Sequence, residues 1–231
     1  MIRARIPDPI IGLVNRTGKL NSRRYDPRVP EHLPRGGWKI AHYGLMIPGL
    51  AEPFGFFDII AVLGTAANVP IFAAPSLVRT TPQDSAWLLI GSGVSRDNFR
   101  PYSIADECEF VAETGTDAPQ VDLSFGNALR MQRTRDRVQV SAVTDGLRAE
   151  IAARPTDVIS HFVHMRGVYD HWSLLCEYDA RFTSTATARP CASRHSRSTG
   201  PMSVGYSRRT RMRPSAPFSI ALCANLLLMM S

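Results

Sequence analysis

The stretch ALRMQRTRDRVQVSAVTDGLRAEIAAR, residues 128–154, constrains this chain more than any other part of it. Leu147, Ala149, Ile151 and Ala153 alternate with Arg148 and Glu150. On a strand that alternation places the apolar side chains on one face and the charges on the other. Val138 and Val140 repeat the pattern in RVQVSAV, and the short polar links RTRDR and TDG join the runs. The segment reads as three antiparallel strands in a meander, with one face buried and one wet.

The same texture continues upstream and downstream. WKIAHYGLM, FFDIIAVLG, VPIFAAP, AWLLIGSGV, YSIADECEFV, VISHFVHM and WSLLCEY are short apolar runs separated by turn signals such as IPGLAEPFG, RTTPQDS, SRDNFRP, ETGTDAPQ, RPTD and GVYD. Short strands at spacings of roughly ten residues predict an antiparallel barrel or sandwich. No long helical period competes with this, since Gly55 and Gly64 bracket the one candidate. The first 37 residues, with Pro7, Pro9, Pro27, Pro30 and Pro34, read as an irregular lead-in. Residues 38–179 then form the β domain.

Charge divides the chain at the same point. The formal net charge is +7, but residues 1–179 carry 19 Lys+Arg against 20 Asp+Glu, whereas residues 180–231 carry 8 Arg and no acid. All the basicity belongs to the tail, so a whole-chain charge argument for nucleic acid fails. The tail arginines are scattered among Ser and Thr, with only Tyr206 and Phe218 as stacking groups. That is a poor polyanion arm, and no nucleic-acid partner is expected. The composition suits a disordered tail, yet it ends in LCANLLLMM. A GC-rich gene read out of frame accounts for both halves: the tail is expected to be non-native, with the frameshift near Ala180 to Phe182.

Other classes fall away on residue patterns. The last apolar run, FSIALCANLLLMM, has 13 residues, short of the roughly 20 a membrane-spanning helix needs. Pro7, Asp8 and Pro9 interrupt any signal-peptide run at the start. Cys108, Cys176, Cys191 and Cys223 show no CxxC pair, so reduced thiols in a cytoplasmic protein are expected. No GxGxxG, GxxxxGK, GxSxG or HExxH motif occurs. No cofactor is expected. His161 and His164 have the spacing of a helical metal pair, but Val158, Ile159, Phe162 and Val163 favour a strand, where residues three apart diverge. No metal site is expected from them.

Two clusters hold the chemistry that remains. RPTDVISHFVHMRGVYDHWSLLCEYD concentrates His161, Tyr169, His171 and Trp172, with Asp157 and Asp170 near. There His171 is the candidate acid/base group, and Tyr169, Trp172 and His161 are candidates to line a pocket. WKIAHYGLMIPGLAEPFGFFD supplies Trp38 and Tyr43 as further lining residues, and His42 on an apolar strand. If both histidine-bearing strands face inward, His42 converges with His161 or His171 in one cavity. In YSIADECEF, read as a strand, Asp106 shares a face with Ile104, Cys108 and Phe110, and Glu107 and Glu109 take the solvated face. An inward carboxylate is costly unless paired, which makes Asp106 the third catalytic candidate.

GGWKIAHYGLMIPGLAEPFGFFDIIAVLG, IGSGVSRDNFRPYSIADECEF and FVHMRGVYDHWSLLCEYD resemble an actinobacterial family that is distantly similar to the lipocalin-like AttH, carotenoid-hydratase and tocopherol-cyclase-like proteins. The resemblance covers roughly residues 31–179. It implies paired antiparallel barrels that bind or process apolar molecules, here one barrel and part of a second. Two functions follow as expectations. One is binding of an apolar small molecule inside the barrel or sandwich; the other is acid/base chemistry on such a molecule by His171, His42 and Asp106.

Overall fold

The computed structural model describes residues 20, 24, 40–64, 74–95, 99–113, 120–134, 136–165, 169–184, 219–220 and 222–226. The architecture is mainly β and antiparallel. The strands are β1 (Ile40–Pro48), β2 (Phe56–Leu63), β3 (Ser85–Ser92), β4 (Arg100–Ser103), β5 (Cys108–Glu113), β6 (Gln120–Phe125), β7 (Leu129–Arg133), β8 (Val138–Val143), β9 (Leu147–Met165), β10 (Tyr169–Ser184), β11 (Ser219–Ile220) and β12 (Leu222–Leu226). Hydrogen bonding runs in the order β4-β3-β2-β1-β12-β10-β9-β8-β7-β6-β5, with β11 also on β10. The two ends, β4 and β5, do not pair, so the sheet is open and no barrel closes.

The path consists of two sheets, β4 to β1 and β10 to β5, linked edge to edge through β12. They pack face to face. Tyr43 of β1 meets Phe110 of β5 at 5.7 Å between ring centres, and Phe57 of β2 meets Phe182 of β10 at 5.2 Å. Tyr102 of β4 stands edge-on to Phe125 of β6 at 5.4 Å. Alternation selects this core: Tyr43, Leu45 and Ile47 go in from β1, Phe57, Ile59, Ala61 and Leu63 from β2. Leu129 and Met131, Val138, Val140 and Ala142, and Leu147, Ala149, Ile151 and Ala153 go in from β7 to β9. The expected meander is therefore β7–β8–β9, with Thr144 N–H donating to the Leu147 carbonyl at the second turn.

The outer faces of the two sheets differ. On β6 to β9, polar side chains lace the strands: Arg130 and Gln132 both donate to Asp122 at 2.9 Å, and Ser141 donates to Glu150 at 3.1 Å. On β1 to β3 the outward row is apolar, with His42 opposite Val62, Gly44 opposite Ile60 and Met46 opposite Asp58. Asp58 is the one carboxylate in that row, and burial pushes its pKa up.

Three local expectations are corrected. VISHFVHM and LRAEIAAR are one strand, β9, running through Pro155. A proline lacks the N–H that a ladder needs, and here the register between β9 and β10 shifts at Leu174/Cys176. The Thr156 hydroxyl then donates to the Leu175 carbonyl at 2.8 Å, filling the gap. Ile104–Glu107 forms one helical turn between β4 and β5 instead of continuing a strand. The QVDLSF strand, β6, was missing from the expected set, although Val121, Leu123 and Phe125 alternate there as clearly as anywhere. VPIFAAP lies mostly outside the described residues. β10 passes residue 180 and ends at Ser184, carrying Ala180 and Phe182 against the core.

Candidate functional site

His42 and His171 lie on strands separated by β12, and both take Ala224 as register partner. Their rings meet edge to face, with centres 5.9 Å apart. Phe162 of β9 packs on the other side of His171 at 4.9 Å and is half exposed. The two histidines do converge, but on the face turned away from the core. Tyr43 and Trp172, each next in sequence to one of them, point inward and are fully buried. Period-two alternation forces this: an inward Tyr43 makes His42 outward.

Burial, with the neighbouring His171 second, lowers the His42 pKa to about 4. Desolvation disfavours the charged imidazolium, and a second imidazole at this distance adds repulsion when both are protonated. His42 is therefore neutral at pH 7. Its Nε2 is out of solvent and has no hydrogen-bond partner among the described residues.

His161 belongs to the other face. It is the register partner of Trp172, on the core side of β9 and β10. Trp172 is stacked beneath the guanidinium of Arg133, 5.6 Å from the ring centre, and Arg133 is itself buried. Trp172 and Tyr43 are core residues of the sandwich. Trp38 and the side chain of Tyr169 lie outside the described residues. The expected meeting of His42 with His161 in an interior cavity does not occur.

Asp106 does not join the histidines. It sits exposed on the one-turn helix, where its N–H donates to the Ser103 hydroxyl, a helix cap. The carboxylates that organise this corner are Asp84 and Glu107. Asp84 accepts from the Ser103 hydroxyl at 2.6 Å and the Ala105 N–H at 2.8 Å. Partial burial opposes ionisation of Asp84, but the hydrogen bonds from Ser103, Thr80 and the backbone outweigh it and hold its pKa below the usual value. Glu107 accepts from the Ser103 N–H at 2.8 Å and from Arg79 at 3.3 Å. In sequence Asp84 was one polar residue in the turn RTTPQDS, and only the fold brings it to Ser103.

The two described cysteines, Cys108 and Cys176, are free, and burial pushes each thiol up to about 12. Among the described residues no three His, Cys, Asp or Glu side chains gather as a metal cluster. Among the same residues no helix is long and apolar enough to cross a membrane.

A model for a family of unknown function, DUF6670, matches residues 60–208. The chain belongs to this family. The DUF6670 match takes in the end of β2, all of β3 to β10 with His171, Phe162 and Asp84, and the first part of the basic segment beyond Ser184. β1, with His42, precedes the matched residues. No curated protein and no solved structure matches the chain.

Proposed function

We propose that the protein binds an apolar small molecule between its two sheets, entered at the unclosed edge between β4 and β5. The observation that carries this reading is the state of the side chains at that edge. Tyr102, Ile104, Cys108 and Phe110 are packed against the core but only partly buried. Deeper in, Phe57, Ile59, Leu123, Phe125 and Leu174 expose nothing, so no water-sized void adjoins them. A guest enters where partly buried aromatic groups can give way, which is also where the backbone path is open. The resemblance to lipocalin-like binders of apolar molecules supports the same reading, which places the protein in the cytoplasm. No nucleic-acid partner belongs to it.

The test is titration of the full chain with N-phenylnaphthylamine, a neutral fluorescent apolar probe. Saturable binding is expected, weakened at least tenfold by Phe110→Asp and unchanged by Val111→Asp, which changes an exposed residue on the opposite face of β5. Absence of saturable binding, or equal effects of the two substitutions, sinks the proposal.

A second reading has its own observation. The neutral Nε2 of His42, close to His171, is a proton acceptor beside a second imidazole, the pairing that acid/base chemistry on an apolar substrate uses. Asp106 is no part of it. Unchanged turnover of a substrate by His171→Ala removes this reading.

A further inference from the structure

We propose that the slot between β1 and β10 takes β12 from a second copy of this chain, so that two copies dimerise by exchanging their C-terminal strands. Among the described residues every other strand ladder joins strands consecutive in sequence: β1 to β4 form one meander and β5 to β10 the other. β12 bridges them, pairing with β1 on one side and β10 on the other, and β11 pairs with β10. Both meanders are built from local pairings, which close early because little chain entropy opposes them. The seam between β1 and β10 closes last, with a strand that arrives from far along the chain.

Until then the seam has two open edges. An unpaired edge presents N–H and C=O groups to any extended segment in reach. β12 of a second copy offers the same backbone and the same register as the chain's own, with Leu226 opposite Ile40, Asn225 opposite Ala41 and Ala224 opposite His42. Reciprocal exchange therefore keeps every pairing and fills both seams, with the two-fold symmetry of an isologous dimer.

The length of the connection makes exchange accessible to this chain. Residues 185–218 separate Ser184 at the end of β10 from Ser219 at the start of β11. Those 34 residues reach roughly 110 Å when extended, against about 30 Å for the width of six strands, so a neighbouring copy's seam is within range. The hold of β12 on its own chain is also short. It pairs with residues 40–43 of β1, across a register shift between His42 and Tyr43, and with residues 169–171 of β10. β9, by contrast, pairs with β10 from Leu147 to Met165. A short ladder opens under conditions in which the meanders stay folded.

Two measurements on the full chain test this. Light scattering should show a dimer that dissociates on dilution, and Ala224→Pro, which puts a proline into a strand paired on both sides, should remove it. Ala41→Cys and Asn225→Cys are then made in separate chains, each also carrying Cys191→Ser and Cys223→Ser, mixed at high concentration and oxidised. Register partners lie at disulfide distance, so the two variants link where β12 of one chain lies on β1 of the other. The linked peptides, located by mass spectrometry, should form at least tenfold more than those from Ala41→Cys mixed with Val111→Cys, an exposed position on β5. Circular dichroism reports folding; if Ala41→Cys unfolds, Asp170→Cys, the register partner of Asn225 on β10, takes its place. A monomer at every concentration, a dimer that survives Ala224→Pro, or linkage no greater than the control overturns the proposal.

Discussion

His42 and Tyr43 are neighbours in sequence that lie on opposite sides of one strand: Tyr43 packs on Phe110 in the core, and His42 meets His171 on the outer face. The candidate chemistry therefore sits outside the packed interior, with its scaffold directly behind it.

The depressed pKa of His42 predicts acid destabilisation. Its folded value, about 4, lies below the ordinary 6.5. Between those values the unfolded chain binds the extra proton, so stability falls as pH drops from about 6.5 towards 4 and the loss is complete below. The full effect is about 3 kcal/mol. Urea unfolding at pH 7 and pH 4.5, compared between the parent chain and His42→Gln, measures it; an identical pH dependence in the two refutes the burial of His42.

Phe182 and Arg181 separate two views of where the β domain ends. Phe182 packs on Phe54 at 5.5 Å and on Phe57, whereas Arg181 is exposed. Phe182→Ala should lose about 2 kcal/mol through the deleted ring contacts, and Arg181→Ala less than about 0.5 kcal/mol. Equal midpoints for the two variants in urea mean that residues beyond 179 do not belong to the core.

Thr156→Val removes the hydroxyl that reaches the Leu175 carbonyl at the Pro155 bulge while keeping the shape. A loss of about 1 kcal/mol is expected. Thermal unfolding monitored by circular dichroism reads it, and no change would show that water serves that carbonyl equally well.

Cys108 and Cys176, with thiols pushed up to about 12, hold almost no thiolate at pH 8. Iodoacetamide should leave both unmodified in the native chain and alkylate both in urea, as located by peptide mass spectrometry. Rapid native labelling of Cys176 would contradict its place in the core.

Much of this was legible in the residues. The alternation in residues 128–154 is the β7–β8–β9 meander, because a two-residue period has one physical outcome when one face must be buried. The gathering of opposing charge on the wet face followed from the same pattern. QVDLSF alternates as legibly, but the turn residues GTDAPQ directly before it hide where the strand begins. Asp106 was misplaced for a local reason: Ser103 caps a helical turn, and a capped turn ends the strand period that the alternation assumed.

The sequence by itself determined that this chain forms short antiparallel strands and which side chains of each strand share a face, since both depend on a period read within a few residues. Only the tertiary structure decided that β4 and β5 stay unpaired, that Asp84 meets Ser103, and that His42 finds His171 rather than His161. Those outcomes depend on which strands become neighbours and in what register. One residue of slip reverses the face of a whole strand, and no local pattern records that choice.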